Sequence, residues 1–416
     1  MIQKLFHFDK ENPRSPWIFY IFYFVVFFGN AIQGSFLSVY LNEMGVQPAT
    51  ISLLNGILQL LSLVFLPIMG RLADNAPTKN MVMTIGYMIT IFFLFIFTQV
   101  QSVLVICVLR ILYGLMATPL MSIYETITFD SITKKGWEYQ PIRMSGTIGF
   151  SIMALVSGYL LKGDIKTIFP IMIAGYVLTI IIGLFMPTSR RVNTPAKGSE
   201  IAEKKSSKEV YSLLKKRKIR NVLILFFIYS LSSSMNNNFF SLYARSLGGD
   251  LKLMGFANAI LGFSELPFHL GPGKRWLKRI GVEKSQLVVL CVGIFRWIIC
   301  AITKNATVLM WTMVLNGIML VPSAIGMAEF LYSEAPEGLK VTAQTSLRSS
   351  VSVAAMLFAD FGGSLLIKLF TKGDVVSYGK IYLILVPISI IGLIIGYTSM
   401  KKGEREEAAA AAAAAE

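Results

Sequence analysis

The chain has 416 residues, of which 54% are hydrophobic and only 15% charged, well under the roughly 25% of an average soluble domain, and its mean hydropathy is +0.63. That composition excludes an ordinary soluble enzyme and makes a bilayer the solvent for most of the chain. The formal charge of +16 calls for no nucleic acid once the bases are found gathered on one side of that bilayer.

A helix needs about 20 apolar residues to cross a hydrocarbon core of about 30 Å. Runs of that kind predict twelve spans, near 16–42, 50–70, 81–100, 103–129, 143–161, 168–187, 220–244, 253–271, 286–303, 306–332, 343–369 and 377–400. Backbone polar groups in lipid must be satisfied within the segment, so these are helices rather than barrel strands. The expected fold class is an all-α membrane protein with two pseudo-symmetric six-helix bundles. Its parts are a first bundle over 1–187, a basic linker over 188–219, a second bundle over 220–400 and a tail over 401–416. The poly-alanine run of the tail is set aside, and no cleavable signal pattern accompanies the first span.

The two bundles repeat one another. FLSVYLNEMG at 36–45 comes back as FFSLYARSLG at 239–248, and the same register carries Asn55 to Asn258, Gly70 to Gly273, Gly114 to Gly317 and Pro119 to Pro322. The period is far too long for a solenoid unit, so each half is expected to be a fold unit. An even number of spans puts both termini on one side, and most of the 39 Lys and Arg lie there. The termini are therefore expected to be cytoplasmic, in an inner membrane. Residues 188–220 carry eleven Lys and Arg against three Glu, as a solvated linker held near anionic headgroups would.

Soluble chemistries find no support. Cys107, Cys291 and Cys300 lie in apolar spans without metal spacing, only two histidines are present, and GPGK at 271–274 lacks the leading glycine and the Ser or Thr of a phosphate loop. The expectation is no enzyme, no cofactor and no metal.

Function is sought in the polar content of the spans, because an ionisable group in the bilayer is expensive and usually faces a partner or a watery cavity. Span one carries Asn30 and Gln33. Glu125 on span four and Arg143 on span five flank a short connection that can bring a carboxylate and a guanidinium together. A structural ion pair, or an arginine marking the start of its helix, are the other readings of the pair. Span seven carries SSSMNNN, in which Ser232 to Ser234 and Asn236 to Asn238 cannot all face one way; local unwinding is an expectation here, and interhelical hydrogen bonding is the alternative. Glu265, Arg296, Glu329 and Asp360 follow, and the three acids compete as partners for Arg296.

GRLAD at 70–74 and RILYG at 110–114 resemble the loop and fourth-helix motifs of the major facilitator superfamily, with Asp74 and Lys79 kept and the loop glycine missing. IRMSGTIGF at 142–150 resembles the lactose permease branch, which includes nucleoside and phenylpropionate symporters. That resemblance implies solute binding by Glu125 and Arg143, with Phe150 at the position that stacks on a sugar ring, and a gating role for Gly70, Asp74 and Arg110. Arg296 matches the ninth-helix arginine of that permease. The His and Glu that the permease carries on helix ten have no counterparts among Asn316, Gly317 and Leu320, so proton coupling would use other groups: Glu125, Glu265, Arg296, Glu329 and Asp360.

The resulting expectation is a monomeric secondary transporter working by alternating access. It would carry a small polar solute together with protons, an oligosaccharide or nucleoside first and an aromatic acid second. The candidate solute contacts are Asn30, Gln33, Glu125, Arg143, Phe150, Asn236 and Asn237. The rival is a drug or lipid exporter, a proton antiporter, on the same fold.

Overall fold

The structure is a computed structural model and describes residues 16–161, 164–188, 210, 212–269, 271–336 and 339–415. Most of the basic linker therefore lies outside the described residues. The first half forms α1 (Trp17–Glu43), α2 (Pro48–Asn75), α3 (Lys79–Gln99), α4 (Val103–Lys135), α5 (Tyr139–Leu160) and α6 (Ile168–Gly183). The second half forms α7 (Arg217–Ser246), α8 (Leu251–His269), α9 (Val282–Ile302), an irregular α10 (Ala306–Glu334), α11 (Lys340–Phe370) and α12 (Tyr378–Ala415). A short helix, Gly271–Ile280, joins α8 to α9, and a two-stranded antiparallel ribbon, β1 (Thr371–Lys372) and β2 (Val375–Val376), joins α11 to α12.

Nine helices among the described residues are long and apolar enough to cross a membrane: α1 to α4, α6 and α9 to α12. The other three predicted spans are helical too, as α5, α7 and α8. These three carry Arg143, the SSSMNNN stretch and Glu265. Polar side chains lower the hydropathy of such segments without touching the backbone ladder that makes them helices.

Two details depart from the sequence expectation. Helix α5 begins at Tyr139, so Arg143 stands one turn inside the helix instead of at its start. Helix α7 runs unbroken through SSSMNNN. Ser232 returns its hydroxyl to the Ile228 carbonyl (3.0 Å), a bond that satisfies the side chain without breaking the helix. Irregularity falls in α10, which passes through a 3-10 segment at Thr312–Leu315 and a π segment at Pro322–Gly326. Pro322 cannot donate to the ladder, which explains why the backbone widens there.

By backbone contacts the chain forms two compact units. One comprises residues 1–194 with 240–263, and the other 195–239 with 264–416. In the first unit α1 packs mainly on α5 and α6, and α3 on α4. A Cβ at Gly149 would collide with the Phe24 carbonyl, so the absence of a side chain is what lets α5 lie against α1. The end of α7 belongs to this unit: Ser241 donates to the Ser35 carbonyl (3.0 Å), and Arg245 pairs with Glu43 (2.9 Å). In the second unit α9 packs on α12, and Gly317 of α10 comes against the Ser264 backbone.

The repeated decapeptide has a shared conformational end. Gly45 and Gly248 both take positive φ, 91° and 82°, just past α1 and α7, a geometry open to glycine at little cost. Phe36 and Phe239 are both buried above those turns, as are Tyr40 and Tyr243.

Candidate functional site

The first unit gathers one set of candidates. Helix α4 ends at Lys135 and is capped by Gly136 in the left-handed region (φ 66°), which turns the chain back into α5 within three residues. This turn brings Tyr139 to Glu125, and the Tyr139 hydroxyl donates to Glu125 Oε1 at 2.9 Å. Arg143, one turn further along α5, leans the other way. Its guanidinium carbon lies 4.5 Å from the centroid of the Phe27 ring, and its Nη1 is buried without a hydrogen-bond partner. Tyr139 thus links Glu125 on α4 to the turn of α5 that precedes Arg143, and among the described residues no ion pair joins the acid to the base.

Other candidates of the first unit stand along α1 and α5. Gln33 accepts from the Tyr113 hydroxyl (2.7 Å), which is also hydrogen-bonded to Tyr176 (3.0 Å). Asn30 is half-buried, one turn along α1 from Phe27, and Phe150 is half-buried two turns along α5 from Arg143. Of the gating motif, Asp74 is exposed and lies 3.8 Å from Lys79, which pairs more closely with Asp130 (3.0 Å). Gly70 is half-buried on α2, and Arg110 donates to Asn55 (2.9 Å).

The second unit gathers the remainder. Asn236 accepts from Tyr382 (3.1 Å), Asn238 donates to Asp360 (2.6 Å), and Asn237 between them is exposed. Glu265 is buried and accepts from Asn316 (3.4 Å), a bond between α8 and α10. Arg296 is 1% exposed, with its guanidinium carbon 5.2 Å from the Trp297 ring. Its Nη2 points at the Met313 sulfur (2.9 Å), its Nη1 at the Met319 sulfur (3.9 Å), and its Nε has no partner. Among the described residues none of the three competing acids reaches it, and Glu329 is exposed. The guanidinium is held instead by two weak thioether acceptors and an aromatic face.

A cavity of about 570 Å³ opens elsewhere in the second unit, where Arg217, Lys218, Glu283, Lys284, Glu404 and Glu406 line it. Its charges are largely spent on one another: Arg217 pairs with Glu406 (2.7 Å), and Lys284 with Glu404 (3.9 Å). Among the described residues no group of three potential ligands is placed to hold a metal.

Residues 16–370 match the MFS_1 like family, where MFS stands for major facilitator superfamily. The chain belongs to that family. A maltose permease of Geobacillus stearothermophilus is 24% identical over 385 residues, covering 91% of this chain and 93% of its own. A raffinose permease of Escherichia coli is 22% identical over 412 residues, covering 91% and 92%. Among solved structures, the nucleoside transporter NupG superposes with a TM-score of 0.78 at 17% identity, over 94% of this chain and all of that one. A bacterial homolog of the human lysosomal transporter Spinster gives 0.70 at 13% identity, over 92% and 96%. The major facilitator chain is accordingly a multi-pass membrane transporter of a small solute and not an enzyme.

Several neighbours of the candidate groups were not singled out from the sequence. Tyr139 precedes Arg143 by one helical turn, and Phe27 precedes Asn30 by nearly one, so helical spacing alone could have drawn both in. Met313, Met319 and Tyr382 carry no such signal, because their spacing from Arg296 and Asn236 crosses helices.

Proposed function

We propose that this major facilitator protein is a proton-coupled symporter of an oligosaccharide or nucleoside, presenting its solute site to the two sides of the membrane in turn. The observation that carries the reading is the open pair in the first unit. Glu125 offers a carboxylate oxygen, and Arg143 offers a donor fork whose Nη1 has no partner. An acceptor and a donor fork on consecutive helices of one unit, each against an aromatic ring, suit a solute rich in hydroxyl groups. The names of the permease and nucleoside-transporter relatives support the same solute class.

In this reading Glu125, Arg143, Phe150, Asn30 and Gln33 contact solute from the first unit. Glu265 is the foremost proton carrier, being a buried carboxylate that accepts from Asn316 across two helices of the second unit. The protein works as a monomer in an inner membrane with both termini cytoplasmic, the orientation that the lysine and arginine bias supports.

The test is proton influx into proteoliposomes, read with an internal pH dye as maltose, raffinose, uridine and an aromatic acid are added in turn. Acidification with a sugar or uridine, lost in Glu125→Gln and Arg143→Lys, is the expected result. Movement of an amphipathic drug or lipid by native and variant proteins alike, with no response to sugars or nucleosides, would overturn symport in favour of an exporter.

A further inference from the structure

We infer that Tyr139 is a positioning residue that keeps Glu125 and Arg143 apart until solute arrives. The inference rests on the solute-binding reading of that pair.

Glu125 is held by Tyr139, and Arg143 stands one turn from Tyr139 on α5; a carboxylate and a guanidinium so placed would close into a bidentate ion pair wherever they could reach each other. That is the strongest hydrogen-bonded arrangement open to either, and a medium of low dielectric strengthens it further. The structure shows both groups occupied elsewhere. The Tyr139 hydroxyl holds Glu125 Oε1 at 2.9 Å, and the Phe27 ring holds the guanidinium carbon at 4.5 Å. Tyr139 is itself fixed: its ring lies 4.5 Å from Phe129 and 6.1 Å from Tyr23, centroid to centroid. Phe129 stands one turn beyond Glu125 on α4, so ring and hydroxyl of Tyr139 grip two successive turns of that helix. The phenol is thereby aimed at the carboxylate by packing and not by the hydrogen bond alone.

The consequence is preorganisation. A solute hydroxyl meeting a closed Glu125–Arg143 pair would have to break a charge-assisted bond before making its own. Meeting the pair held open, it displaces a neutral phenol from the acid and finds the arginine Nη1 without a hydrogen bond. Binding to groups already held in the receptive arrangement carries a smaller ordering cost. A structural role alone would predict something different, a loss of folded protein with no change in the affinity of what remains.

Tyr139→Phe keeps the ring and removes only the hydroxyl. Uptake of radiolabelled maltose, raffinose or uridine, whichever the native protein moves, is measured beside a solute-free structure of the variant. The expected result is an apparent KM raised about tenfold, with the maximal rate within about twofold, the scale of one lost hydrogen bond to a charged group. The variant structure would show Arg143 withdrawn from Phe27 and paired with Glu125. Tyr139→His, which retains an N–H donor, should restore the KM to within about threefold of the native value. The inference is overturned if Arg143 stays on Phe27 in the phenylalanine variant, or if KM is unchanged there. It is also overturned if the histidine variant is as impaired as the phenylalanine one. Loss of uptake in Glu125→Gln beside an unaffected Tyr139→Phe would remove the inference and leave the solute site standing. Indifference of uptake to both would remove the site as well.

Discussion

Arg143 and Arg296 are two arginines inside the same membrane protein, and neither has an acid for a partner among the described residues. Arg143 is half-buried, with a carboxylate close by that is held by a tyrosine. Arg296 is 1% exposed and faces two methionine sulfurs, with no acid in ion-pair reach among the described residues. The first is a donor kept available; the second is a charge stored in a soft, weakly accepting pocket. Desolvating a guanidinium without an anion is costly, so each arrangement asks for a reason beyond stability. On the function proposed above, that reason is the solute for Arg143, and for Arg296 an anion that reaches it in another state of the transport cycle, with Glu265 the candidate from the same unit.

The sharpest way to break this comparison is to neutralise each arginine. Arg143→Gln should lower the uptake efficiency about a hundredfold, since two hydrogen bonds from a charged group at about 1.5 kcal/mol each correspond to roughly that factor. The ratio of maximal rate to KM for the transported solute measures it, and a loss under about threefold would mean that Arg143 is not a solute contact. Arg296→Met is expected to raise stability. Replacing even a buried ion pair with apolar chains is often stabilising by about 1–4 kcal/mol, and a charge without a counter-ion has less to lose, so the thermal unfolding midpoint in detergent should rise. Solute should still equilibrate across the bilayer, while proton-driven accumulation is lost. A lowered midpoint would show that the thioether pocket stabilises the guanidinium more than its burial costs.

The contrast also shows what could be read without coordinates. Helix positions, the duplication and the identity of both arginines follow from hydropathy and repeat alone. The Gly45 and Gly248 turns are a case where the repeat carried backbone geometry with it, because a position with positive φ constrains the residue in both copies. Helix interiors were legible for a similar reason, since lipid leaves the backbone one solution. The unwinding expected at SSSMNNN failed because local polarity does not reveal partners. Ser232 bonds within its own helix, while Asn236 and Asn238 find Tyr382 and Asp360 far along the chain. The contest among three acids for Arg296 failed in the same way. Sequence names the charged residues, but a methionine sulfur that takes the place of an acid reads only as packing.

Smaller effects separate interior polar pairs from interfacial ones. Asp360→Asn keeps the shape of the group that receives Asn238 and removes its charge, at a cost of about 1 kcal/mol, the difference between a charged and a neutral hydrogen bond. The unfolding midpoint again reports it, with the proton stoichiometry of transport as the second readout. An unchanged stoichiometry would take Asp360 off the proton path and leave it as a fastener between α7 and α11.

The smallest change is expected at Lys79, although it has the most carboxylates. Lys79 lies 3.0 Å from Asp130 and 3.8 Å from Asp74, and Asp74 is exposed. The Lys79 side chain is itself only 14% exposed, but water around the two carboxylates screens the attraction, and ion pairs with an exposed member contribute only about 0–1 kcal/mol. Lys79→Ala should therefore move the unfolding midpoint by less than any of the interior changes, and rising salt should narrow the gap to the native protein further. If the resemblance of GRLAD to a gating motif reflects a role here, the effect belongs in the rate of transport and not in stability. A lowered maximal rate at unchanged KM and an unchanged midpoint would assign Lys79 and its two aspartates to the moving parts. Equal loss in all three quantities would make them a structural fastener, and the comparison would then set one available and one stored arginine against a lysine held between two aspartates.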